Sequence, residues 1–335
     1  MKKEIISFPD APGILSAASV VGKRESEGPL GSLFDLHDST DRFGKETWEQ
    51  AESEMQRISF NLALTKANLR EEEVNCMFAG DLVNQCTASA YGLLDFDLPY
   101  FGLYGACSTA AEGLILASSM ISTGLYEKAS VTVSSHNCTA ERQFRSPIEY
   151  GGQRTPTSQW TVTGAATFLL SSGGGDAYLT QALPGRAVDY GITDLSNMGA
   201  AMAPAAIDTL TRYFRESGMT PSRFDLILSG DLGFEGYSIV LDLMKKEGYD
   251  LSGNYTDCGL LIYDRSSQDV HAGGSGCGCS AVVLASYLTD LFRKGEIRDI
   301  LFLGTGAMMS PLTIKQGLSI PGIAHLIRIT KERMF

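Results

Sequence analysis

The chain has 335 residues, 44% of them hydrophobic and 20% charged, the composition of a folded protein with a sizeable core. Its net charge of −12, with no lysine- or arginine-dense stretch, argues against nucleic acid as a partner. No apolar run reaches transmembrane length and the first residues carry no signal-peptide core, so any membrane association is expected to be peripheral. The 7 scattered cysteines, an odd number, point to reduced thiols in a cytosolic compartment.

In chain order, Met55, Ile58 and Leu62 recur at helical spacing and predict an amphipathic helix over 47–66. A short apolar strand follows at 74–79 and ends in Gly80-Asp81-Leu82. The glycine-rich run Phe101-Gly-Leu-Tyr-Gly-Ala-Cys107-Ser108 then enters a helix over 105–124. Its 110–121 stretch is small or apolar on every side, so it is expected to be buried all round. A strand at 129–134 leads into a polar loop over 136–159. The second half repeats this order. A helix over 204–216 is expected to open on Pro204, a favoured first-turn residue, and to stop before Gly218. A strand at 224–229 ends in Gly230-Asp231-Leu232, a glycine-rich turn enters a helix at 273–294, and a strand follows at 300–304. Strand–helix–strand units of this length make right-handed crossovers in a mostly parallel sheet. The rhyme implies one duplicated α/β body, divided at 1–185 and 186–335.

Cys107 at a helix start faces the positive end of the helix dipole, which favours a thiolate and so a nucleophile. The same N–H groups would also hold a carboxylate. His136 leaves the carboxyl edge of the sheet, where ligand sites of α/β proteins gather. Arg142, Arg145 and Arg154 in the polar loop offer planar forks for carboxylates, although pairing with Glu141 and Glu149 would equally account for them. Phe144 and Tyr150 could stack on an aromatic ring or pack the loop. Asp81 and Asp231 end equivalent strands and are expected to cap the following turns, with Asp81 a weaker ligand candidate. No calcium-loop spacing is present, so no dedicated metal site is expected.

The runs Ala79-Gly-Asp-Leu82, Phe101 through Thr109, Ser134-Ser-His-Asn137, Thr139-Ala-Glu-Arg-Gln-Phe-Arg145 and Ala272-Gly-Gly-Ser-Gly-Cys277 carry a resemblance. The chain resembles the thiolase superfamily and, within it, is similar to the stage V sporulation protein AD family. The resemblance covers nearly the whole chain. It implies a five-layered thiolase-like fold of two β-α-β-α-β-α-β-β halves. It also implies a sporulation protein that binds dipicolinate (pyridine-2,6-dicarboxylate), alone or with calcium, for uptake into the developing spore. The partners it implies are membrane proteins of the same transport system, on the cytoplasmic face of the spore or forespore inner membrane, and a second copy joined sheet edge to sheet edge. No cofactor is implied.

Condensing enzymes of the superfamily also need histidine or asparagine from the second half. Here Gly230-Asp-Leu-Gly-Phe-Glu235 holds no histidine, and Leu303-Gly-Thr-Gly306 lacks a second catalytic cysteine. The expectation is therefore a non-catalytic binding protein. An acyltransferase or β-ketoacyl synthase III-like enzyme using Cys107 is the alternative, and an assembly scaffold a third. The expected ligand set is Cys107, Ser108, His136, Arg142, Arg145, Asp81 and Gly274. Helix-start N–H groups at Cys107 and Ser108 would meet one carboxylate and Arg142 or Arg145 the other. The small residues around Gly274 would leave room for the ring.

Overall fold

A computed structural model describes residues 3–144 and 154–333. The first run is β1 (Gly13–Val21), α1 (Trp48–Ala67), β2 (Cys76–Gly80), α2 (Thr87–Gly92), β3 (Tyr100–Leu103), α3 (Thr109–Ser122), β4 (Lys128–Ser135) and β5 (Gly164–Ser171). Helix α4 (Asn137–Phe144) lies between β4 and β5. The second run is β6 (Tyr178–Leu183), α5 (Met198–Ser217), β7 (Leu226–Ser229), α6 (Gly233–Lys246), β8 (Tyr255–Asp257), α7 (Cys277–Val283), β9 (Asp299–Ala307) and β10 (Gly322–Thr330). Helix α7 continues through a wider turn, Leu284–Leu288, into α8 (Thr289–Lys294).

Among the described residues these strands belong to one twelve-stranded sheet, in the order β8-β7-β9-β10-β6-β1-β5-β4-β2-β3. The two runs mirror one another strand for strand and meet where Gly13 of β1 pairs with Tyr178 of β6. A Cβ on Gly13 would come within 2.4 Å of the Gly174 backbone, so only glycine allows this junction. The sheet is mixed rather than mostly parallel. β2, β3 and β4 are parallel, as are β7, β8 and β9. Each run then closes on antiparallel strands, β5 beside β4 and β10 beside β9. Helix α4 packs on α1 and the Trp160–Thr161 segment rather than crossing over the sheet, so β5 can return antiparallel beside β4.

Five layers result. α3 packs on β4 and β2 of its own half and on β9 and β10 of the other, while α7 packs on β5, β4 and β1. These two helices form the middle layer, with α1 covering one outer face and α5 and α6 the other. Most of α3 is buried, but Leu116 is exposed, so the helix keeps one open edge rather than being enclosed all round.

Local sequence explains the helix ends. Thr47 caps α1: its hydroxyl accepts from the Gln50 N–H while the Gln50 side chain accepts from the Thr47 N–H. Inside it, Met55, Phe60 and Ala63 are fully enclosed, and burying the two larger side chains stabilises by about 1.5–3 kcal/mol each. α5 starts six residues before Pro204, which therefore lies in its interior. Asn197 supplies the cap by accepting from the Ala200 N–H (3.1 Å), and Gly218 ends the helix at φ 68°.

Candidate functional site

The glycine-rich run after β3 turns sharply at Ala106, whose φ is 50°. That turn sets Cys107 beneath a cavity of about 240 Å³, where the residue is 6% exposed. Leu82, Ala106, Ala140, Phe144, Met198 and Met309 give the cavity apolar walls. Ser158, Gln159, Thr161, Ser196 and Ser275 give it polar points, and Tyr104 stands at its rim. The short pairing of Trp160–Thr161 with Gly274–Ser275 brings the end of the polar loop against the second half, which places Gln159 and Ser275 on the same wall.

The helix start does not activate the cysteine. Burial is the largest influence and pushes its pKa well above the ordinary thiol range. The second is the negative charge of Asp231, which follows the end of β7 and pushes in the same direction. Cys277 beside it adds to the same direction. The expectation of a thiolate favoured by the dipole is overturned because burial and a neighbouring negative charge outweigh the partial charge of a helix end. The Ser108 N–H donates to Gly105 O (3.1 Å), and the Ser108 hydroxyl to the same oxygen (2.6 Å). Neither is left for a ligand.

Asp231 is not a simple turn cap. Oδ2 accepts from Ser275 Oγ (3.1 Å) and the Gly276 N–H (2.8 Å), and Oδ1 accepts from Thr305 Oγ1 (2.8 Å). Its counterpart Asp81 does cap its turn, accepting from the N–H groups of Val83 and Ser89 (both 2.8 Å) and from Ser89 Oγ (2.6 Å). The influence thus crosses between halves: Cys107 of the first feels the charge of Asp231 of the second, and the matching Cys277 that of Asp81.

Arg154 is the cation on the cavity wall, with a side chain 8% exposed. Nη2 bonds the Asp269 carboxylate (2.5 Å) and the Asp269 carbonyl (3.0 Å), and the guanidinium lies 4.9 Å from the Trp160 ring centre. Nη1 is buried and has no hydrogen-bond partner among the described residues. Gln159 shows the complementary feature: Nε2 donates to Asp231 O and Gly274 O (both 2.7 Å), while buried Oε1 has no partner there.

The other expected residues lie elsewhere. Arg142 points to the surface, 55% exposed, and pairs with Glu49 at 3.2 Å. Arg145, like Glu149 and Tyr150, lies outside the described residues. His136 is enclosed against the Trp48 ring, with Nε2 on Asp41 O (2.9 Å) and Nδ1 accepting from the Cys138 N–H (3.1 Å). Burial lowers its pKa, so it is a neutral packing residue. Gly274 does not open space for a ring. A Cβ there would meet Ile262 Cγ2 at 2.8 Å and Cys279 Sγ at 3.2 Å, so its smallness serves core packing. His271 contacts Asp269 Oδ1 (3.0 Å) and thereby shares the Arg154 partner. Sequence reasoning missed Gln159, Ser275 and the influence of Asp231 on Cys107, and placed Arg154 behind Arg142 and Arg145.

The cavity can hold a small ligand with an oxygen for Arg154, and it lacks an activating base beside Cys107 among the described residues. The family model for stage V sporulation protein AD matches residues 2–330. The chain belongs to the stage V sporulation protein AD family. It is 43% identical over 310 residues to stage V sporulation protein AD of Bacillus subtilis (strain 168), covering 92% of this chain and 91% of that one. Solved structures show the fold. The 3-oxoacyl-[acyl-carrier-protein] synthase III of Aquifex aeolicus VF5 superposes with a TM-score of 0.57 at 13% identity, over 95% of this chain and 99% of that one. The tetronic acid condensing enzyme AbyA1 gives 0.59 at 17% identity, over 96% and 99%. Cerulenin-bound OleA of Xanthomonas campestris gives 0.57 at 15%, over 97% and 99%. The family is thus a sporulation family on a thiolase-like fold.

Proposed function

We propose that this chain binds dipicolinate, alone or as its calcium chelate, in the Cys107 cavity, and that it serves the loading of that compound into the developing spore without turning it over. Arg154 carries the reading. A guanidinium more than nine-tenths buried, with one N–H group unpartnered among the described residues, costs stability unless an anionic oxygen completes it. One carboxylate of the ligand meets Arg154 Nη1. Phe144 with Met198 and Met309 offers apolar surface to the ring. Calcium arrives already chelated by the ligand.

A second copy joins at the free edge of β3, where Tyr100 and Phe101 are exposed. No described helix is long and apolar enough to cross a membrane. Contact with the cytoplasmic face of the spore or forespore inner membrane goes through membrane-embedded proteins of the same transport system.

Isothermal titration of calcium dipicolinate into the protein, with acetyl-coenzyme A in parallel, tests the proposal. Saturable dipicolinate binding with no heat from acetyl-coenzyme A is expected. Acetyl-coenzyme A binding with acylation at Cys107 would put the condensing-enzyme reading in its place.

A further inference from the structure

Arg154 reaches the cavity wall from the end of the polar loop, but the group that holds it comes from the other half of the chain. That support is the 264–271 segment, which is tied to itself. Asp264 accepts from the Ser266 N–H (2.9 Å) and from the hydroxyls of Ser266 (2.6 Å) and Ser267 (2.7 Å). The Gln268 side chain accepts from the Asp264 N–H (2.9 Å) and donates to Arg24 O (2.8 Å), and Val270 is fully enclosed in the core. A segment locked in this way carries Asp269 at a fixed place.

Asp269 uses each of its oxygens. Oδ2 meets Arg154 Nη2 (2.5 Å), and Oδ1 lies 3.0 Å from His271 Nε2. Its carbonyl accepts from Arg154 Nη2 (3.0 Å) and from Arg24 Nη1 (2.8 Å). His271 Nδ1 lies 2.6 Å from the carbonyl of Thr155, the residue after Arg154. Trp160 closes the arrangement, with the Arg24 guanidinium 3.9 Å and that of Arg154 4.9 Å from its ring centre. Two guanidiniums thus share one ring and one carbonyl oxygen. Like charges so placed repel, and the Asp269 carboxylate offsets that repulsion. The Asp269 side chain is 69% exposed, so its pair adds little to folding stability. What it fixes is the direction of the Arg154 guanidinium. With Nη2 held by the carboxylate and the carbonyl, Nη1 is the end left without a partner among the described residues.

We infer that Asp269, steadied by His271, is a positioning residue that aims Arg154 at the ligand of the Cys107 cavity without touching that ligand. Neither Asp269 nor His271 lines the cavity. The inference deepens the binding reading given above and rests on it. Affinity for a carboxylate ligand is then set by a contact between the two halves, made outside the cavity.

Two measurements on the intact protein test this, one with ligand and one without. Asp269→Ala should weaken dipicolinate binding by about tenfold or more in titration calorimetry. In an Arg154→Ala background the same change should move affinity by less than about twofold, because a residue that acts through Arg154 has nothing left to act on. Losses that multiply overturn the inference, as does unchanged affinity in the single variant. Phenylglyoxal, which condenses with accessible guanidinium groups, reads Arg154 with no ligand present. Peptide mass spectrometry should show Arg154 labelled far more slowly than Arg142, whose side chain is 55% exposed. Asp269→Ala should bring the Arg154 rate up toward that of Arg142 and leave the Arg142 rate unmoved. Equal rates in the unchanged protein, or an Arg154 rate that the substitution does not raise, overturn the inference. Absence of dipicolinate binding in the unchanged protein would remove the binding reading, and the labelling would still decide what Asp269 does. If Asp269→Ala fails to fold, His271→Asn carries the labelling test, since asparagine suits the φ of 50° at that position. It should raise Arg154 labelling by a smaller factor, and no rise there counts against the inference in the same way.

Discussion

Arg142 and Arg154 belong to one polar stretch and have opposite fates. Arg142 is spent on an exposed pair with Glu49, while Arg154 is folded inward by Asp269, a residue from the other half of the chain. Replacing Arg154 by Ala should weaken dipicolinate binding by about ten- to a hundredfold. A hydrogen bond to a charged group contributes about 1.5–3 kcal/mol, and 1.4 kcal/mol is tenfold. Arg142→Ala should leave affinity within about a factor of two, because an exposed ion pair is worth under about 1 kcal/mol and this one lies off the cavity. Titration calorimetry on both variants checks the contrast, and equal losses would sink the assignment. Spacing could not separate these arginines, since the partner that selects one lies far along the chain. Cys107 was legible because its signal is local, a glycine-rich strand end running into a small-residue helix. The influence of Asp231 on it was not, because it joins two halves whose relative placement is set by packing.

At the level of elements the sequence order was readable and the ends were less so. Hydrophobic spacing and glycine punctuation placed α1, β2, α3 and β4 in the first run and β7, the α7–α8 helix and β9 in the second, since those signals arise within single elements, whereas β1, β5, β6, α6, β8 and β10 were not read. The start of α5 was misplaced because Met198 to Ala203 is small and apolar, compatible with helix or loop, and proline reads as an opening residue. The cap at Asn197 decides the matter, and Pro204 is then left where it lacks an N–H for the carbonyl of Ala200. Pro204→Ala should therefore raise stability, by up to about 3 kcal/mol, the cost of an interior proline. Its ring is only partly buried, so truncation leaves no large void. Urea unfolding monitored by circular dichroism measures the change, and a lower midpoint would show that the proline ring itself helps fit α5 to β10. The antiparallel closing strands escaped the crossover rule for a similar reason. Strand direction depends on the connection, and the connections here pass through the polar loop and the segment between β9 and β10.

The whole molecule encloses several carboxyl groups in its interior, and this shapes how its stability responds to pH. Glu52 is pushed up to about 8, first by burial and then by the neighbouring Asp81 charge. Burial also raises Glu25 and Asp257 to about 7 each. In the unfolded chain these groups ionise near about 4. Between those values the folded protein binds more protons than the unfolded chain, so stability falls as pH rises. Their contribution is fully present below about pH 4 and lost by about pH 8. Groups with lowered pKa act in the opposite sense. Asp264, held at about 2 by the Ser266 and Ser267 hydroxyls, and Glu54, lowered by Arg57, contribute above the ordinary carboxylate range and lose that contribution as the solution becomes acidic. The two sets together put the optimum near about pH 5, with a decline toward about pH 8. Melting temperatures across that range should fall steadily. Glu52→Gln keeps the shape, removes one titration and leaves Ser134 and Thr139 as hydrogen-bond partners, so it should flatten the decline and help most at the alkaline end. A melting temperature that stays level or rises from about pH 5 to about pH 8 would mean that water or structural relaxation ionises these carboxyls at little cost, and the interior around them would then be wetter than its packing indicates.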